Sequence, residues 1–187
     1  MQLILASQSP RRQELLRLIT PDFMVCPADV EEALIEGADL ADEVARLAAQ
    51  KAQAVAAHHP EAVVIGSDTL VICDGQALGK PADAADARRM LMLLSGRTHE
   101  VMTGLALCIP GKQVVTDTVI TTVRFAPLQD AEILAYIQTG EPMDKAGAYG
   151  IQGLGARLIE GISGDYYSVM GLPVRRLYER MRENQIV

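Results

Sequence analysis

The first chemical signal is a pair of arginines at the start of a helix. A short apolar run, Leu3-Ile4-Leu5-Ala6, reads as a buried strand and is followed by Ser7-Gln8-Ser9-Pro10-Arg11-Arg12. Ser9 suits an N-cap, and Pro10 suits the first turn, where its missing N–H costs nothing. A helix start binds anions through its free N–H groups and dipole. Arg11 and Arg12 oppose that dipole, which makes sense if a phosphate is their partner; the plain alternative is a surface helix that tolerates them. Lys51 falls four residues after Leu47 and four before Val55, on the stripe Val44, Leu47, Ala48, Val55, so it must either snorkel or meet an anion. Asp68, in Gly66-Ser67-Asp68-Thr69, comes directly after the apolar run Ala62–Ile65. Ligands of open α/β sheets gather outside the carboxyl ends of strands, so Asp68 is expected just past its strand, facing the Ser9 helix start if the two strands are parallel neighbours. The alternative is a turn aspartate bonded to its own backbone. Lys80, in Gly79-Lys80-Pro81, is a turn cation or simply an exposed lysine. The cluster Asp29, Glu31, Glu32 is a solvated acidic loop or a source of an oxygen ligand for Mg²⁺. Four cations (Arg11, Arg12, Lys51, Lys80) and two carboxylates (Glu31, Asp68) together suit a triphosphate with Mg²⁺. The Gly-x-x-x-x-Gly-Lys-Ser/Thr phosphate loop is absent from the sequence, which excludes a P-loop enzyme. His58, His59 and His99 share no ligand spacing, and Ser7 and Ser9 have no histidine partner to make either one a nucleophile.

These residues need elements to hold them. Periodicity predicts strands at 3–6 and 23–26, helices at 10–19 and 40–57, the second capped by Asp39, and a buried strand at 62–65. Asp74-Gly75 marks a hairpin between 70–73 and 76–78. Asp83 caps a helix that ends near Gly96. Two long strands, 99–109 and 114–126, surround Pro110-Gly111-Lys112, with Ile120 and Thr121 breaking the alternation of the second. Helices follow at 129–138 and 173–184, separated by a glycine-rich stretch at 147–171. Helices alternating with strands, and then a hairpin, indicate an α/β fold: a mixed, partly parallel sheet flanked by helices with a later antiparallel hairpin. The 187 residues suit one domain, or one domain in two lobes around a central cleft. Apolar residues make up 49% and aromatics 4%, without tryptophan, so the core must be aliphatic. A net charge of −7 argues against nucleic-acid binding. Cys26, Cys73 and Cys108 share no metal spacing and read as reduced thiols. No apolar span of membrane length and no signal-peptide pattern is present, so a cytoplasmic protein without a membrane partner is expected.

The ordered motifs resemble those of the Maf family of nucleoside triphosphate pyrophosphatases. They are Leu5-Ala6-Ser7-Gln8-Ser9-Pro10-Arg11-Arg12, Val30-Glu31-Glu32, Lys51-Ala52, Gly66-Ser67-Asp68-Thr69, Gly79-Lys80-Pro81, and Leu94-Ser95-Gly96-Arg97-Thr98-His99. Asp144-Lys145-Ala146-Gly147-Ala148-Tyr149-Gly150-Ile151-Gln152-Gly153 and Gly164–Pro173 complete the set, so the resemblance runs nearly end to end. Ser67 departs from it, standing where the family more often has Ala.

The resemblance implies a Maf/inosine-triphosphatase-like fold and hydrolysis of the α–β phosphoanhydride of a nucleoside triphosphate, in a house-cleaning role. It implies Asp68 as proton acceptor, Arg11, Thr69 and Gln152 as specificity positions, and Glu31, Lys51 and Lys80 around the phosphates and metal. Ser7, Ser9, Arg11, Arg12, Lys51 and Lys80 are the expected phosphate contacts. Glu31 and Asp68 are the expected ligands of Mg²⁺, with Mn²⁺ or Co²⁺ as alternatives. The Ala-Gly-Ala-Tyr-Gly-Ile-Gln-Gly stretch resembles the dTTP/UTP type, and an amide at Gln152 can donate and accept at the O4/N3–H edge of uracil or thymine. A 7-methyl-GTP pyrophosphatase of the same family and a nucleotide-binding regulator of septum formation are the rival readings. The resemblance further implies a homodimer.

Overall fold

The computed structural model describes residues 2–187. The chain forms β1 (Leu3–Leu5), α1 (Pro10–Arg17), β2 (Met24–Val25), α2 (Leu40–Ala56), β3 (Val63–Cys73), β4 (Gln76–Leu78) and α3 (Ala84–Leu94). It continues through β5 (Thr98–Cys108), β6 (Val115–Phe125), α4 (Asp130–Gln138), β7 (Ile159–Ser163), α5 (Tyr166–Met170) and α6 (Val174–Glu183), with three 3-10 turns between α4 and β7. The strand order is β2-β1-β3-β5-β6-β7, with β4 paired to β3. β1 is parallel to both β2 and β3, while β3–β4 and β6–β7 are antiparallel. This is the mixed, partly parallel sheet flanked by helices that the segment pattern indicates.

Local chemistry explains the boundaries. Asp39 accepts the N–H groups of Ala41 and Asp42 at the start of α2, and Asp83 accepts that of Asp86 at the start of α3. Asp74 and Gly75 both have positive φ, 50° and 74°, as a two-residue hairpin between right-twisted strands requires. In β6 the alternation persists through the irregular pair: Ile120 is exposed and Thr121 is buried, its hydroxyl engaged with Asp165 and Ser168.

Two expectations need correction, at the end of β3 and at the end of α1. The strand that starts at Val63 does not stop at Ile65 but runs unbroken to Cys73, so Asp68 lies in mid-strand rather than past a strand end. The turn-forming residue types there find tertiary partners instead of their own backbone, as shown below. Within the glycine-rich stretch lie β7, which pairs with β6, and the short helix α5. Helix α1 ends at Arg17, two residues early, and leaves Leu18 exposed.

The chain divides into two compact units. The first comprises the chain up to Thr69 with Thr103–Val119 and Gly171–Val187; the second comprises Leu70–Met102 and Ile120–Met170. Strands β3, β5 and β6 each contribute residues to both. The first unit's core packs Ala48, Ala52 and Val55 of α2 on Ile4, Val64, Ala106 and Cys108. The second unit's core joins α3 and α4 to Phe125, Tyr149 and Leu158. Both cores are largely aliphatic. No helix among the described residues is long and apolar enough to cross a membrane.

Candidate active site

In β3 the side chains of Val64, Gly66 and Asp68 share the face covered by α2, by the two-residue period of a strand. Helix and sheet approach closely there. A Cβ on Gly66 would lie 2.1 Å from the Ala48 carbonyl oxygen, and one on Gly104 of β5 would lie 2.2 Å from that of Val44. The small residues Ala48 and Ala52 complete this close seam. Lys51 lies on the same side of α2 and is buried, and its Nζ donates to Asp68 Oδ1 at 2.5 Å. The side chains of Lys51 and Asp68 are each 9% exposed, so this is an enclosed ion pair. A second carboxylate, that of Glu32, reaches the same ammonium at 2.9 Å while remaining 56% exposed.

A set of contacts along α2 places Glu32. Glu43, buried near the start of the helix, accepts the Ile35 N–H at 2.8 Å and Arg46 Nε at 2.8 Å. The Arg46 hydrogen bond, then that of Ile35, holds the Glu43 carboxyl below the usual carboxylate range despite its burial. Arg46 donates to the Ala33 carbonyl, and Gln50 to the Glu31 carbonyl. Three side chains of one helix, spaced three and four residues apart, thus fasten the acidic loop.

On the other face of β3, Ser67 Oγ lies 2.9 Å from the carbonyl oxygens of both Gly104 and Gly171. Thr69 Oγ1 meets Thr103 Oγ1 at 3.1 Å and accepts Arg12 Nη2 at 3.2 Å. Arg12 also donates to Gly171 O at 2.8 Å and to Ser7 Oγ at 3.3 Å. These acceptors are neutral, so they orient the guanidinium without cancelling its charge. Burial lowers the Arg12 pKa, against the opposing pull of Asp68 and Glu32. Ser9 caps α1 by accepting the Arg12 N–H at 3.5 Å, and no acid occupies the first turn. Since β1 ends level with Ile65, Asp68 lies beyond the carboxyl end of β1 although not of its own strand.

In the second unit, Lys80 is exposed in its turn. The preceding residue, Gly79, accepts the Gly147 N–H at 3.0 Å, joining the Lys80 turn to the loop that carries Gln152. Tyr149, in that loop, bonds His99 Nε2 at 2.7 Å, and both rings stack edgewise with Phe125. Gln152 is half-buried and its side chain makes no capping bond.

The structure therefore brings Ser7, Ser9, Arg12, Lys51, Asp68 and Thr69 together in the first unit. Arg11 is half-buried beside them in sequence, and Lys80 and Gln152 belong to the second unit. Glu31 is exposed, with only its carbonyl engaged by Gln50, and Glu32 takes the place at Lys51. Sequence reasoning also missed Ser67, Thr103, Glu43 and His99. Glu43 carried a legible signal, being an acid one residue before Val44 of the inward stripe. The others show none, because their partners are remote in sequence. Among the described residues no three of His, Cys, Asp or Glu are grouped as a closed metal site. Asp68 and Glu32 converge on the Lys51 ammonium, and their hard carboxylate oxygens are of the type that Mg²⁺ takes, one or two at a time, beside substrate phosphates.

Residues 2–184 match the family model described as Maf-like protein. The chain is 55% identical over 182 residues to a Koribacter versatilis protein named dTTP/UTP pyrophosphatase, covering 97% of this chain and 94% of that one. It is 53% identical over 182 residues to a Symbiobacterium thermophilum protein of the same name, covering 97% and 93%. Among solved structures it shares its fold with the Staphylococcus aureus Ham1 protein, at a TM-score of 0.53 and 17% identity over 85% of this chain and 80% of that one.

Proposed function

Because the chain belongs to the Maf family, we propose that it is a nucleoside triphosphate pyrophosphatase that hydrolyses the α–β phosphoanhydride of dTTP and UTP to the monophosphate and pyrophosphate. The observation that carries this reading is the enclosed Lys51–Asp68 pair beside the orienting network of Arg12. The names of the relatives at about half identity over nearly the whole chain support the substrate.

Asp68 orients a water molecule for attack on the reacting phosphorus and accepts its proton. Lys51 holds that carboxylate in place and has a third N–H for a phosphate oxygen. Arg12, fixed by Ser7, Thr69 and Gly171, neutralises charge that grows on the phosphate oxygens, with Arg11, Lys80 and the α1 N-terminus capped by Ser9 as further donors. Such preorganised donors need no rearrangement as the charge develops. A divalent cation, Mg²⁺ or else Mn²⁺ or Co²⁺, would be held by Asp68 with Glu32 or Glu31 and would polarise the phosphate when bound. The Gln152 amide reads the O4/N3–H edge of the base.

The test is pyrophosphate release from dTTP, UTP, CTP, GTP, ATP and 7-methyl-GTP. dTTP and UTP should be turned over, and Asp68→Asn, which keeps the shape of the side chain and removes the base, should lose about 10²–10⁴-fold in rate. Turnover of 7-methyl-GTP alone would overturn the substrate assignment, and a fully active Asp68→Asn would overturn the role of Asp68.

A further inference from the structure

Two side chains outside every motif above grip the Gln152 loop at both ends. Tyr136, fully buried in α4, donates its hydroxyl to Glu141 Oε1 at 3.0 Å and accepts the Gly150 N–H at 3.2 Å. Glu141 in turn accepts the Leu154 N–H at 3.0 Å and the Gly155 N–H at 2.9 Å, one on each oxygen. One hydrogen-bonded pair therefore holds the backbone two residues before Gln152 and two and three residues after it.

The packing leaves no slack. Gly153 has φ +68°, and a Cβ there would lie 2.8 Å from Glu141 Oε2. A Cβ on Gly155 would lie 2.2 Å from the Gly150 carbonyl oxygen and 2.7 Å from the Tyr136 hydroxyl. Lys145 Nζ, bonded to the Glu141 carbonyl oxygen at 2.7 Å, fixes the residue from the backbone side. Burial would raise the Glu141 carboxyl, but the N–H groups of Leu154 and Gly155 and the Tyr136 hydroxyl outweigh it and hold the group below the usual range. The Gln152 side chain makes no capping bond to the turn that follows it.

We infer that the Tyr136–Glu141 pair is a positioning device for Gln152, and that preference for a uracil or thymine base depends on this tether as well as on the amide it carries. The inference rests on the proposed reading of Gln152. A free amide can turn over and match cytosine, whose edge reverses donor and acceptor, as readily as uracil. Discrimination therefore needs the amide held to within a fraction of an ångström, which is the work of residues behind it. Tyr136 and Glu141 touch no substrate in this scheme.

The experiment compares kcat and KM for UTP and CTP in the unsubstituted protein, Glu141→Gln, Tyr136→Phe, Gln152→Ala and the double variant Glu141→Gln/Gln152→Ala. Glu141→Gln replaces the carboxylate by a group with one acceptor oxygen. Tyr136→Phe keeps the ring in the core and serves if the first variant does not fold. Each tether variant should lower the UTP-over-CTP ratio of kcat/KM by about tenfold or more, through a higher KM for UTP. Gln152→Ala should abolish the preference, and the double variant should add nothing to that loss. A tether variant that melts at lower temperature but keeps the ratio, while Gln152→Ala loses it, overturns the inference, since the pair then only supports the fold. A ratio unchanged in Gln152→Ala overturns the reading of Gln152 itself, and the inference falls with it.

Discussion

Lys51 puts a charged amine on the apolar stripe of α2, where a bare ammonium would lose its hydration with nothing in return. Asp68 is what makes the position tenable, and it is equally dependent on Lys51. Removing one member of a buried pair is far costlier than removing both. Lys51→Met should therefore lose about 3–5 kcal/mol in urea unfolding, whereas Lys51→Met combined with Asp68→Asn should recover most of it without recovering pyrophosphate release. Equal stability of the single and double variants would show that the pair is not coupled. The lysine's inward position was readable from spacing alone. Its partner was not, because seventeen residues separate the two along the chain and the turn-like Gly-Ser-Asp-Thr run argued for a local bond instead. Glu31 and Glu32 illustrate the same limit. Adjacent acids are alike in sequence, and the fastening of the loop by Glu43, Arg46 and Gln50 decides which of them meets the ammonium.

At the scale of elements, the site exists because a helix lies unusually close to a sheet. Gly66 and Gly104 each occupy a point where any side chain would strike a carbonyl oxygen of α2. Gly104→Ala should force α2 outward at a cost of about 1–3 kcal/mol or more, and should separate Lys51 from Asp68, so that activity falls even where the protein still folds. Gly161→Ala, in β7, faces only the end of the Arg124 side chain at 3.9 Å and should change stability by no more than about 0.5 kcal/mol. Thermal melting and pyrophosphate release of both variants check this. Segment boundaries were legible where a cap or hairpin residue marks them, as at Asp39, Asp83 and Asp74-Gly75. They were not legible at Ile65, where composition signalled a turn. Each polar side chain after Gly66 has a partner from another element: Ser67 the carbonyls of Gly104 and Gly171, Asp68 the amine of Lys51, and Thr69 the guanidinium of Arg12.

At the scale of the whole molecule, the response of stability to pH follows from a residue that sequence reasoning left without a role. His99 is buried against Tyr149 and Phe125, and burial lowers its pKa from 6.5 to about 4. As pH falls below 6.5 the unfolded chain takes up a proton that the folded chain refuses until about pH 4. Stability is therefore at its full value above pH 6.5 and declines through this window, by about 2 kcal/mol between pH 6.5 and 5. Urea unfolding at those two pH values should show the loss, and His99→Gln should flatten it; an equal slope in the variant would assign the loss to other groups. By itself the sequence determined the α/β class, most helices and strands, an aliphatic core, an inward lysine and the family, since periodicity, caps and ordered motifs are local and survive in one dimension. Only the tertiary structure decided that Asp68 lies within a strand, that Glu32 shares Lys51, that Ser67 bridges two carbonyls and that Tyr136 and Glu141 grip the Gln152 loop. Each of those is a pairing between groups remote in sequence, chosen by which faces pack together, and no local pattern records that choice.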